Sequence, residues 1–95
     1  MYRIRAQIKL YGSANPRTIR SGYRPDFKVI QEMFAGGTME FPDRESLSQG
    51  DEAEVEIRFF DKRSVGGSLS VGTNFTIWET DCVGKGTVIE IIDWT

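Results

Sequence analysis

Residues 2–11 read Tyr2-Arg3-Ile4-Arg5-Ala6-Gln7-Ile8-Lys9-Leu10-Tyr11, and their order decides the fold class. On an extended chain Tyr2, Ile4, Ala6, Ile8 and Leu10 fall on one side, and Arg3, Arg5, Gln7 and Lys9 on the other. A helix would need its apolar residues every three or four positions; strict alternation marks a strand with one wet face. The run Asp51 to Phe60, DEAEVEIRFF, repeats the pattern. Ala53, Val55, Ile57 and Phe59 point one way, and Glu52, Glu54, Glu56 and Arg58 the other. Shorter segments extend the reading. Residues 27–34 are rich in apolar side chains. GTMEF (37–41) sets Met39 and Phe41 on one side and stops at Pro42-Asp43, a turn pair. NFTIWE (74–79) alternates Phe75 and Ile77 with Thr76 and Trp78. GTVIEIIDW (86–94) is apolar on both faces, which predicts a strand covered on two sides.

Between these segments stand turn signals: GSANP (12–16), FAGGT (34–38), SQGD (48–51), SVGGS (64–68), VGTN (71–74) and VGKG (83–86). No stretch reads as an amphipathic helix, and PDRESLSQG (42–50) is too short and too polar. Short strands joined by glycine-rich turns predict an all-β protein, an antiparallel barrel or sandwich. The favoured form is a closed or nearly closed barrel of about six strands, occupying residues 1–95 as one domain. Ile4, Ile8, Val55, Ile57, Phe59, Phe75 and Ile77 are the expected core.

Composition limits the chemistry. The apolar fraction is 39% and the charged fraction 27%, enough to build a core and too balanced for a disordered chain. There is no histidine, the commonest general base and a frequent zinc ligand. The single cysteine, Cys82, has no partner for an intrachain disulfide and reads as a small buried hydrophobe. Carboxylates are plentiful, but Glu52, Glu54 and Glu56 alternate on a wet face, paired with no nucleophile or metal cluster. No catalytic role, metal or cofactor is therefore expected. The opening residues alternate instead of forming an apolar run, so neither a secretory signal nor a membrane span is expected, and a cytoplasmic location is the default.

The net charge is −2, yet residues 1–28 hold seven basic groups and one acid, while the remaining residues hold five basic and thirteen acidic groups. Such a split marks either a face for nucleic acid or two oppositely charged strands side by side. The arginines of residues 2–11 and the glutamates of residues 52–56 are natural partners across such a ladder.

The corner Ser21-Gly22-Tyr23-Arg24-Pro25-Asp26-Phe27 fits a scaffold role in which glycine permits a positive φ and proline stiffens the chain. Gly22-Tyr23-Arg24-Pro25, Gly37-Thr38-Met39-Glu40, Gly50-Asp51 and Val83-Gly84-Lys85-Gly86 follow in the order found in the third, C-terminal domain of elongation factor Tu, and the chain resembles that domain over nearly its whole length. The resemblance implies a six-stranded antiparallel barrel. It also implies contacts to the aminoacyl-tRNA stem through the glutamine after the corner proline, here Asp26; through a threonine before the glycine-threonine strand, here Gly36; and through an arginine-glutamate pair, here Trp78-Glu79. Only Glu79 keeps the family's residue. Asp26 adds an anion where phosphates would approach, and Trp78 replaces a cation. With no Gly-x-x-x-x-Gly-Lys-Ser/Thr loop, no nucleotide binding is expected; VGKG is read as a turn.

The expected function is therefore a non-catalytic module that docks a protein partner, linked to translation through the resemblance. In the family this barrel packs on the GTPase domain and touches the nucleotide-exchange factor. Tyr23, Arg24, Asp26, Gly36, Trp78 and Glu79 are the candidate surface, with Trp78 and Trp94 as exposed aromatic contacts. The alternative is an RNA-binding module in which Arg17, Arg20, Arg24 and Lys28 surround Tyr23; a pI near 5.1 argues against it.

Overall fold

A computed structural model describes residues 2–11, 18–30, 33–60, 69–79 and 81–94, apart from the side chains of Ile30, Met33 and Trp94. Among these residues the chain forms strands β1 (Tyr2–Leu10), β2 (Thr18–Arg20), β3 (Asp26–Ile30), β4 (Met33–Glu40), β5 (Ser46–Ser48), β6 (Glu52–Phe59), β7 (Asn74–Trp78) and β8 (Cys82–Trp94). Six of them close an antiparallel barrel in the order β1-β6-β4-β3-β7-β8, and β2 and β5 form a separate two-stranded sheet. The barrel anticipated from the alternation is thus present.

The alternating residues of β1 and β6 carry the interior. Ile4, Ala6 and Ile8 face Ile57, Val55 and Ala53 in register, and all six are buried. The Phe27 ring stands edge-on to Phe59 at 5.5 Å and to Phe75 at 5.9 Å. That packing fills the middle of the barrel with aromatic volume. The seven residues expected in the core are all buried, whereas Cys82, read as a small buried hydrophobe, is only partly buried. Ile19 of β2 and Leu47 of β5 join the same core, so the small sheet is tied to the barrel by its two inward side chains.

Four readings of the sequence need correction. Residues 27–34 are not one segment: β3 and β4 are an antiparallel hairpin, Phe27 facing Ala35. FAGGT is no turn but the middle of β4. A Cβ on Gly37 would stand 2.7 Å from the Arg58 carbonyl oxygen and 3.1 Å from the Phe27 ring, so glycine is there for close approach. VGKG lies within β8 and pairs with both β1 and β7; a Cβ on Gly84 would stand 2.8 Å from the Lys9 carbonyl oxygen and one on Gly86 2.4 Å from the Phe75 ring, so its glycines also serve close approach. The last strand is not covered on two sides, since Ile89 is 39% exposed and Glu90 is exposed; register shifts in the β1–β8 ladder turn these side chains out. The short strands β2 and β5 carry three residues each, too few for alternation to register. GSANP and SVGGS lie outside the described residues.

The charge ladder forms on one side of β1. Arg3 Nη1 bonds Glu56 Oε1 at 3.0 Å, and Arg5 Nη1 lies 2.9 Å from Glu90 Oε1. Both pairs are partly exposed, so they neutralise charge more than they add stability.

The corner is built as the sequence suggests. Gly22 has φ 95°. Its N–H donates to the Met39 carbonyl at 2.8 Å, the Met39 N–H donates to the Tyr23 carbonyl at 2.8 Å, and the Phe41 N–H donates to Ser21 Oγ at 3.0 Å. Pro25 and Phe27 are buried beyond it. No atom lies within 4 Å of a Cβ at Gly22, so strain alone opposes a side chain. Gly22→Ala should cost about 1–2 kcal/mol in urea unfolding, the range for a positive φ imposed on alanine. An unchanged midpoint would show that the corner is not held in this conformation.

Candidate docking surface

Alternation in β3, β4 and β7 sends Phe27, Ala35 and Ile77 inward, and sends Asp26, Lys28, Phe34, Gly36, Thr76 and Trp78 outward onto three neighbouring strands. The register sets these into two rows. Trp78 faces Asp26, and Asp26 faces Gly36; one step along, Thr76 faces Lys28, and Lys28 faces Phe34. The rows form a compact aromatic and cationic group. The Phe34 and Trp78 rings meet edge to face at 5.8 Å, with Lys28 Nζ 5.4 Å from both centroids. Cation–π attraction holds the ammonium against the rings. The Trp78 indole N–H donates to Thr76 Oγ1 at 2.8 Å, which fixes the ring on the sheet.

Phe60 completes the surface. Its N–H donates to the Gly36 carbonyl at 3.0 Å, and a Cβ on Gly36 would stand 3.2 Å from the Phe60 ring. The ring therefore rests on the bare backbone at Gly36. Phe34 is 49% exposed and Phe60 59% exposed, so two large rings stand in water beside charged groups on this face.

Of the residues singled out in the sequence, Asp26, Gly36 and Trp78 share one register row. Tyr23 and Glu79 close its end: the Tyr23 hydroxyl donates to Glu79 Oε1, tying the corner to the chain leaving β7. Arg24 is exposed at the corner. The described members of the alternative basic set come from different elements. Arg20 belongs to the two-stranded sheet opposite Ser46, whereas Lys28 stands in the barrel wall among rings. Arg17 and the Trp94 side chain lie outside the described residues. The sequence reading missed Phe34 and Phe60. Phe34 becomes visible once its spacing from Ala35, an inward position, is known. Phe60 follows inward Phe59, so alternation alone already places it outside.

Tyr23→Phe keeps the ring and removes the donor to Glu79. The expected loss is about 1–2 kcal/mol, the range for a partly exposed bond to a carboxylate. A midpoint unchanged in chemical denaturation would assign the corner's rigidity to its backbone bonds alone.

On the next part of the outer wall a groove of about 550 Å³ runs over β1, β8, β7 and β3, lined by Lys9, Tyr11, Lys28, Asn74 and Lys85 among others. The Tyr11 hydroxyl lies 3.5 Å from Cys82 Sγ. That contact, followed by burial, raises the Tyr11 pKa above the usual phenol value, so the ring lines the groove in its neutral form. Among the described residues no cluster of histidine, cysteine, aspartate or glutamate has the arrangement of a metal site.

A scan against protein-family models finds no match to this chain, and a search of curated proteins finds none either.

Proposed function

We propose that the chain is a non-catalytic interaction module that docks a protein partner through Phe34, Trp78, Phe60 and Lys28. The observation that carries this reading is the pair of exposed rings, Phe34 and Phe60, flanking a half-buried tryptophan fixed by its own hydrogen bond. Rigid aromatic anchors lose little conformational freedom on binding and dominate interface energies. The likeness of the four sequence motifs to the third domain of elongation factor Tu makes a translation-linked partner our first choice, and a barrel of that kind is consistent with it. The set Tyr23, Arg24, Asp26, Gly36, Trp78 and Glu79 then forms one border of the docking surface, with Asp26 disfavouring phosphate there. A cytoplasmic site of action belongs to the same proposal.

The test compares baits in nuclease-treated lysate of the source cells. Wild type should retain a defined protein that a folded Phe34→Ser/Phe60→Ser double variant loses. Equal retention by both baits would refute the assignment. On this reading, bulk tRNA binds no tighter than about 10⁻⁴ M at physiological salt, the weak end of non-specific binding. A tight tRNA complex broken by Arg24→Ala would place RNA recognition at the corner instead.

A further inference from the structure

Three lysines stand on one line across the outside of the barrel. Lys9 faces Lys85 between β1 and β8, Lys85 faces Thr76 between β8 and β7, and Thr76 faces Lys28 between β7 and β3. The next position on the line is Phe34 of β4. With strands roughly 4.8 Å apart, the four steps from Lys9 to Phe34 span about 19 Å. Lys9 and Lys85 are like charges placed directly opposite, an arrangement that works against the sheet. Arg3 and Arg5, on the same wet face of β1, each meet a carboxylate, whereas none of the three lysines takes part in a salt bridge among the described residues. Glu52 is the register partner of Lys9 on its other side but forms no such pair. The line edges the groove described above, whose remaining polar lining includes Gln7, Asn74 and Thr87, with one acid, Glu52, at the Lys9 end.

We infer that this groove receives an acidic, extended segment of the docked protein, its carboxylates on Lys9, Lys85 and Lys28 and an apolar side chain against Phe34. The inference rests on the docking role proposed for the aromatic surface and names the chemistry of the partner. Charge complementarity carries it: three cations in a row, none in a salt bridge among the described residues, end on an exposed ring, so the complementary ligand is acidic along most of its length and apolar at one end. At about 3.3 Å per residue, six extended residues cover the distance. The closed barrel has no free edge strand, so the segment crosses the strands instead of adding to the sheet. A single-stranded RNA suits the groove less well. Its continuous phosphates would meet Glu52 at one end and Asp26, beside Trp78, at the other. A peptide carries its acids only where the lysines are.

The experiment uses the purified chain and a dye-labelled peptide of glutamates followed by phenylalanines. Its controls are the same peptide with glutamine for glutamate and an oligouridylate of similar length. Fluorescence anisotropy should show saturable, salt-sensitive binding of the acidic peptide and about tenfold weaker binding of the glutamine twin, the ratio for losing roughly one good charge contact. Lys85→Glu should weaken the acidic peptide by at least as much, with Lys85→Gln as a milder variant and thermal melting as the check on folding. Loss with Lys85→Glu but not with Phe34→Ser keeps the lysine groove and removes the aromatic surface from the account. Loss with Phe34→Ser but not with Lys85→Glu does the reverse and overturns the groove. Absence of binding, equal binding of the glutamine twin, or tighter binding of oligouridylate each overturns the inference, the last in favour of nucleic acid.

Discussion

Phe27→Ala should lower the unfolding free energy by about 3–5 kcal/mol, the range for deleting a fully buried aromatic ring. Phe27 is 0% exposed, and its ring touches Phe59 and Phe75 edge-on from the centre of the barrel. Three strands contribute to that contact, β3, β6 and β7, so the cavity would open between ladders that cannot slide together without breaking register. Only partial collapse is available, which places the cost high in the range. A domain of this length is stable by about 5–14 kcal/mol, so the variant stands near its limit. Urea unfolding measures the difference, and a loss below about 1 kcal/mol would mean that the ring does not fill the barrel.

Gly86→Ala should be nearly as severe, for the opposite reason. A Cβ there would lie 2.4 Å from Phe75 Cζ and 2.9 Å from Ile8 Cγ2. Both neighbours are buried, and the Phe75 ring is already pinned by Phe27, so neither can withdraw freely. Overpacking of this kind costs about 1–3 kcal/mol and more where the site is rigid. Because the closest clash is with the Phe75 ring, Phe75→Leu should cost less in the Gly86→Ala background than in wild type, with a coupling above about 1 kcal/mol. Additive effects in that double-mutant cycle would show that something other than Phe75 excludes the methyl group.

These two sites mark the boundary of what the sequence conveys. The inward positions of β1 and β6 are legible because alternation persists for eight or nine residues against a strongly charged opposite face. Gly37 and Gly86 are not, because a glycine that makes room for a ring has the same symbol as a glycine that turns the chain. The ring responsible, Phe27 or Phe75, comes from a strand distant in sequence or paired in an unknown register. The docking surface was half legible for a similar reason. Trp78, Asp26 and Gly36 were named from motifs, but that they share a row, and that Phe34 and Phe60 border it, follows from the β3–β4–β7 pairing. The lysine line is an effect of register alone. Lys9 and Lys28 belong to the basic first 28 residues and Lys85 to the acidic remainder, yet the ladders set all three on one line. The charge ladder of Arg3 and Arg5 with Glu56 and Glu90 accounts for part of that split, and Lys9 and Lys28 of the lysine line carry part of the remaining positive charge.

The central claim is that the face bearing Phe34 and Phe60 docks a protein. Its most direct test is a photo-crosslinking amino acid placed singly at position 34, at position 60 and at position 89, the last an exposed isoleucine on β8. The variants are irradiated in lysate of the source cells. The account predicts one discrete adduct shared by positions 34 and 60, resistant to nuclease, sensitive to protease and absent at position 89. An adduct as strong at position 89, or one that nuclease removes, would contradict it.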